Sequence, residues 1–310
     1  MKVLVGVDGS SNSFAAVAFV GRLISPERDE LTLFFATPAM KFDDERLDLA
    51  VEERARSVLS RDILDAALER LPEHWRARAR QKDNIAGSPG QALVEAAKEL
   101  GAELIVVGYH GTSSIFEQFL LGSVSRKVLQ TAKMPVLVVK GGAGTARSVD
   151  HAVQTEQFSA LAAYDTAHSA EAMANALKRF TWPAKAAGRV LTVVRPMFLA
   201  DLPDWVKNRP RDPDVAAMAD EWKKEHDLNL LAAREELERF RGMLPPSFAH
   251  GEAVVAEGRP AEQIITTARE FETDLVVLGS GDTGRLERLL VGSTSEQVLA
   301  SGTCSVLVVR

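Results

Sequence analysis

The chain has 310 residues, enough for two domains of ordinary size. It is 46% hydrophobic and 26% charged, the balance of a folded globular protein rather than a disordered chain. Its 37 basic and 43 acidic side chains give a net charge of −6, which argues against general nucleic-acid binding. A small anion held by backbone N–H groups stays compatible with that charge.

Taken in chain order, strand 1 is expected near 2–8 and ends at Asp8. Helix 1 follows near 12–24, with Ser11 or Asn12 as its cap. Strand 2 is ELTLFFAT, and helix 2 spans about 44–71 with apolar residues at helical spacing. Strand 3 is expected near 76–85. There HWRARARQKD alternates Arg with Ala and reads as a solvated strand face rather than an anion stripe. Ser88-Pro89 opens helix 3 near 89–100, and ELIVVG is strand 4, ending at Gly108. Helix 4 runs from about 123 to 132, and PVLVVK is strand 5. Short continuous apolar strands alternating with helices predict an α/β, doubly wound parallel sheet covered on both faces. A Gly-rich polar stretch, 142–156, is the linker between a first domain, 1–141, and a second, 157–310.

The second half repeats the first. KVLVGVDGSSNSFAAVAFV aligns with SALAAYDTAHSAEAMANAL at an offset of 157, which sets Asp8 opposite Asp165. GSPGQALVEAAKELGAELIVVG aligns with GRPAEQIITTAREFETDLVVLG at 171, and GSVSRKVLQTAKMPVLVVK with GSTSEQVLASGTCSVLVVR at 170. The first copy therefore has one extra residue between Gly108 and Gly122, and the second has an insertion at 197–215 that reads as a loop.

In an open parallel sheet, ligands bind beyond the carboxyl ends of the strands. Strand 1 of each copy ends there in Asp8 or Asp165, and strand 4 in Gly108 or Gly279. Helix 4 starts there after Gly122-Ser123 or Gly292-Ser293. A helix N-terminus suits phosphate, glycines let the backbone approach, and the Asp carboxylates can accept from ribose hydroxyls or a base amine. Each feature alone is also ordinary turn or cap chemistry; the combination in two copies points to a nucleotide. No nucleophile–base pair, lysine-bearing phosphate loop or metal-ligand cluster is readable, so no catalytic or metal residue is assigned. His110 has no partner of readable spacing, and an enzyme acting at the α-phosphate is disfavoured for want of a catalytic constellation. The single cysteine, Cys304, reads as an inert core thiol. No run approaches the roughly 20 apolar residues of a membrane span, so no membrane partner is expected. MKVLVGVDGSS does not read as a signal peptide, and the expected compartment is the cytoplasm.

The spacing after strand 4, with VLVGVDGSSNS at the front and GSVSRKVLQTAKMPVLVVK at the back, resembles the universal stress protein family in tandem over nearly the whole chain. That resemblance implies two Rossmann-like units, each with a five-stranded parallel sheet. It further implies binding of ATP or a related adenine nucleotide, with or without Mg²⁺, and at most slow hydrolysis. Carried over residue by residue, the site is Asp8, Ala36, Gly108, Gly111, Gly122 and Ser123, and in the second copy Asp165, Val194, Gly279, Gly292 and Ser293. The first copy has ten residues after Gly111 where the family has nine, and the second has Asp282 where the family has its second glycine. An acidic group there would face phosphate, so the first copy is the favoured site. The strand-5 segments VLVVK and VLVVR are expected to meet in an intramolecular pseudo-dimer, and whole chains can pair further as a homodimer. The alternative is a nucleotide-free interaction protein that keeps only the fold.

Overall fold

The structure, a computed structural model, describes residues 1–38, 49–109, 121–141, 157–195, 213–280 and 292–310. The first half contributes β1 (Lys2–Val7), α1 (Ser11–Gly21), β2 (Glu30–Pro38), α2 (Leu49–Leu68), a short α3 (Glu73–Arg76) and β3 (Arg80–Ala86). It continues with α4 (Pro89–Leu100), β4 (Leu104–Gly108), α5 (Ser123–Thr131) and β5 (Val136–Val139). The second half contributes β6 (Gln157–Tyr164), α6 (Ala167–Arg179), β7 (Lys185–Val194), α7 (Pro213–Met243) and β8 (Ala253–Glu257). It ends with α8 (Pro260–Glu270), β9 (Leu275–Gly279), α9 (Ser293–Ser301) and β10 (Ser305–Val309).

Among the described residues, each half contributes five parallel strands, and the two sets join edge to edge. They share one sheet, in the order β3-β2-β1-β4-β5-β10-β9-β6-β7-β8. Every pairing within a half is parallel, and the halves join where β5 runs antiparallel to β10, Leu137 opposite Leu307. Alternation along each strand feeds two cores. Val3, Val5, Val106 and Leu137 face α1, α2, α6 and α7. Leu4, Ile105, Val107 and Val136 face α4, α5, α8 and α9. Strands buried on both faces explain the continuous apolar runs. The register confirms the repeat, since Val3 pairs with Leu104 as Ala160 does with Leu275.

Several local expectations shift. The cap of α1 is Ser10, whose hydroxyl accepts from the Ser13 N–H, rather than Ser11 or Asn12. The alternating Arg-Ala stretch begins as a helical turn around buried Trp75, and the strand starts only at Arg80. Arg76 and Arg78 spend their guanidinium groups on the carbonyls of Leu71, Glu69 and Pro26, while Arg80 meets Glu30 at the surface. The linker 142–156 and residues 197–212 of the insertion lie outside the described residues, and 213–215 already belong to α7.

The residue after each last strand caps the other half. Lys140 donates to the carbonyls of Leu299 and, at 2.6 Å, Gly302 at the end of α9. Arg310 donates to the Leu129 carbonyl near the end of α5. Cations suit these carbonyl ends. Burial lowers the Lys140 ammonium to about 8, with neighbouring Cys304 pulling weakly the other way. The Cys304 thiol, 5% exposed, is pushed up by burial to about 11. Between pH 8 and the ordinary lysine value of 10.5, the unfolded chain keeps the Lys140 proton and the native chain releases it. Stability from this group therefore rises with pH from 8, and Cys304 opposes it above 9. Urea midpoints of the native chain minus those of Lys140→Met are expected to climb between pH 7.5 and about pH 9. A flat difference would exclude a depressed Lys140.

Candidate functional site

The carboxyl ends of β1, β2 and β4 converge beside the start of α5. Val7 is paired with Phe35, so Asp8 follows directly beside Ala36. Gly9 turns the chain in the left-handed region at φ +83°, which favours glycine. The Asp8 carboxylate is exposed, and its Oδ1 accepts from the Ser10 N–H at 3.0 Å and the Ser10 hydroxyl at 2.6 Å. Those bonds fix the carboxylate on the turn through Oδ1.

Helix α5 is tied to the end of β4 at two points. The Gly122 N–H donates to the Tyr109 carbonyl at 3.0 Å, and the Ser125 hydroxyl donates to the Gly108 carbonyl at 2.6 Å. Gly122 occupies the cap position and makes no side-chain cap bond, so among the described residues no side chain is seen to take up the first-turn N–H groups around exposed Ser123. Arg126 stands in the same first turn and acts electrostatically on the Tyr109 phenol, which burial raises above its usual value. A positive helix end, a guanidinium and a fixed carboxylate on one rim suit a ligand with both phosphate and hydroxyl groups. The sequence signals Ser125 only by its recurrence as Ser295, two residues into the matching helix of the second copy. Replacing Ser125 by Ala is expected to cost about 1 kcal/mol of unfolding free energy, measured by urea denaturation.

Gly108 has a structural reason to be glycine. A Cβ there would lie 2.8 Å from the Asn12 carbonyl carbon, 2.9 Å from its oxygen and 2.9 Å from the Ser13 nitrogen. At Gly279 the same atom would meet the Ser169 Cβ at 2.5 Å. Both glycines let the first helix of their unit cross the end of strand 4. Gly292 differs, because its Cβ would meet nothing among the described residues closer than the Ser280 carbonyl oxygen at 3.9 Å, and its φ is an ordinary −58°.

The second half builds the same frame at the opposite end of the sheet. Asp165 leaves β6 and leads into a capping box between Thr166 and Ser169. Tyr164 is paired with Thr192, so the residue beside Asp165, and the equivalent of Ala36, is Val193 rather than Val194. Gly279 ends β9, and Gly292 caps α9 with Ser293 as its first residue. The charges differ. Glu296 stands where α5 has Arg126, and Glu236 accepts from the Tyr164 hydroxyl at 3.2 Å. Burial and then the Glu236 carboxylate raise the Tyr164 phenol. Among the described residues, the second rim is therefore the more acidic of the two, although Arg239 offsets part of it. Gly111, His110 and Asp282 lie outside the described residues. Among the described residues no group of three or more His, Cys, Asp or Glu could hold a metal ion, and no helix is long and apolar enough to cross a membrane.

The sequence profile described as "Universal stress protein family" matches residues 1–140 and again 159–310. A universal stress protein of Mycolicibacterium smegmatis is 27% identical over 319 aligned positions, covering 99% of this chain and 96% of the relative. Universal stress protein YxiE of Bacillus subtilis is 31% identical over 147 positions, covering 45% of this chain and 98% of the relative, the size of one repeat. Among solved structures, a universal stress protein from Archaeoglobus fulgidus covers 100% of the chain and 96% of itself, with a TM-score of 0.60 at 20% identity.

Proposed function

The chain belongs to the universal stress protein family, which it matches twice, and on that premise we propose that it binds ATP or a related adenine nucleotide as a cytoplasmic stress-response protein. The first repeat is the favoured site. Asp8 takes ribose hydroxyls or the base amine, Ala36 lines the adenosine from β2, and the start of α5 at Gly122 and Ser123 takes the phosphates. The observation that carries this preference is the charge at the helix start, Arg126 in α5 against Glu296 in α9. A cation in that turn adds to the helix's own attraction for phosphate, and a carboxylate subtracts from it. Occupancy signals or stabilises a state of the protein, with Mg²⁺ bridging phosphates where present and hydrolysis slow at most.

A nucleotide-free interaction protein is the second reading. One observation favours it: Gly108 and Gly279 are accounted for by helix packing without any ligand. One experiment separates the two. The purified chain is denatured, its supernatant is assayed for adenine nucleotide by mass spectrometry, and the native protein is titrated with Mg-ATP in a calorimeter. Nucleotide binding at one equivalent, or two with unequal affinities, supports the first reading. No copurified nucleotide and no heat of binding leaves the second.

A further inference from the structure

The pseudo-two-fold axis through the β5–β10 seam relates two pockets beneath the helices α1 and α6, and only one of them is filled. On the filled side the phenyl rings of Phe19 and Phe158 meet with centroids 5.6 Å apart and both are buried. Arg22 lies over the Phe158 ring with its guanidinium carbon 5.6 Å from the centroid. The neighbouring Asp274 carboxylate acts on that guanidinium.

The repeat offsets name the counterparts on the other side. Ala176 stands for Phe19, Met1 for Phe158, Arg179 for Arg22 and Glu103 for Asp274. The charged pair survives, since Arg179 and Glu103 are bonded at the rim. The phenyl group at 19 has no equivalent, and a cavity of about 210 Å³ stands in its place. Buried Leu104, Leu307, Val309 and Phe180 line its floor, while Arg179 and Asn175 are exposed at its mouth. An apolar cavity of about 150 Å³ is already large enough to take benzene.

We propose that this cavity is a second binding site, distinct from the nucleotide rims and independent of them, for a small aromatic molecule of phenyl to indole size. The filled side supplies the template. A ring seated in the place of Phe19 lies against Met1, which holds the place of Phe158, below the Arg179–Glu103 pair. An aromatic face there gains a thioether–ring contact with Met1 that a saturated ring lacks. The apolar floor disfavours a charged body such as a phosphate in the depth of the cavity, although Glu103, Arg179 and Arg310 also line it, and the open mouth admits the ligand without unfolding.

The test uses the full chain with labelled methyl groups, followed by NMR during titration with indole. Saturable shifts are expected at Leu104, Leu307 and Val309, while their symmetry mates Leu275, Leu137 and Val139 stay in place. Ala176→Phe rebuilds the missing ring in the protein and is expected to abolish those shifts and to raise the thermal midpoint. If that variant fails to fold, Ala176→Leu serves the same purpose. Benzene is expected to bind about two- to fivefold more tightly than cyclohexane. No saturable shift in the native chain, or full binding retained in a folded Ala176→Phe, overturns the site. Equal affinity for benzene and cyclohexane overturns its aromatic character.

Discussion

Valine in place of Gly108 is expected to destabilise the first half by about 3 kcal/mol or to prevent it from folding. The β-carbon alone would fall within 2.9 Å of three backbone atoms of Asn12 and Ser13. Backbone has no rotamer with which to move aside, so α1 must lift from the end of β4. That helix carries Val17, Phe19 and Val20 into one of the two cores, and lifting it opens that core. A urea midpoint unchanged from that of the native chain would contradict this packing. The result also governs how binding data are read. A Gly108 variant that loses ATP has lost its fold first, and says nothing about contact with phosphate. Gly292→Ala is the cleaner probe, because the added methyl meets nothing close among the described residues and the expected cost is only the ~0.5–1 kcal/mol of a poorer helix cap.

Ser123→Asp carries the second large effect, and here stability and binding are expected to move in opposite directions. Ser123 is exposed in the first turn of α5. A carboxylate there complements the positive end of the helix and is expected to add about 0.5 kcal/mol of stability. The same carboxylate faces any phosphate held by that helix. At about 4 Å the repulsion is about 1 kcal/mol in water and roughly 4 kcal/mol at an effective dielectric of 20. Mg-ATP affinity at the first repeat is therefore expected to fall about fivefold to several hundredfold, with the urea midpoint steady or higher. Undiminished affinity in this variant would remove the phosphates from α5. Loss of both affinity and stability would mean instead that the helix start tolerates no change, and would leave the phosphate placement without its support.

The strands were the legible part of the chain. A strand buried on both faces must be apolar throughout, and that requirement is written in short windows such as LIVVG and VLVV. The repeat was legible for the same reason, because Asp8 and Asp165, or Ser123 and Ser293, recur at fixed offsets. What failed was set by contacts distant in sequence. Alternating Arg and Ala looks like a strand, but Trp75 is buried by the body of the domain, and that contact curls 73–76 into a helical turn. Ser10 outranked Ser11 as the cap because the Asp8 carboxylate draws it into the turn. Val194 came out one place late for Val193, since side-chain alternation in a strand leaves no local mark of register against a neighbour. The candidate site is legible in the sequence as a set of recurring chain positions. The charge contrast between Arg126 and Glu296 is visible in the sequence, but it gains its meaning from two helix starts whose cap residues are glycines with no side chain to offer.

The antiparallel seam between β5 and β10 has a consequence for how such a chain can diverge. In an isologous homodimer, one sequence must serve both sides of the axis, so a hollow on one side is necessarily present on the other. Joining the two copies in one polypeptide lifts that obligation. Each position near the axis is now two genetic sites, free to drift apart while the strands that meet there keep their shape. Lys140 and Arg310 show the freedom used conservatively, and Phe19 and Ala176 show it used to make the molecule lopsided.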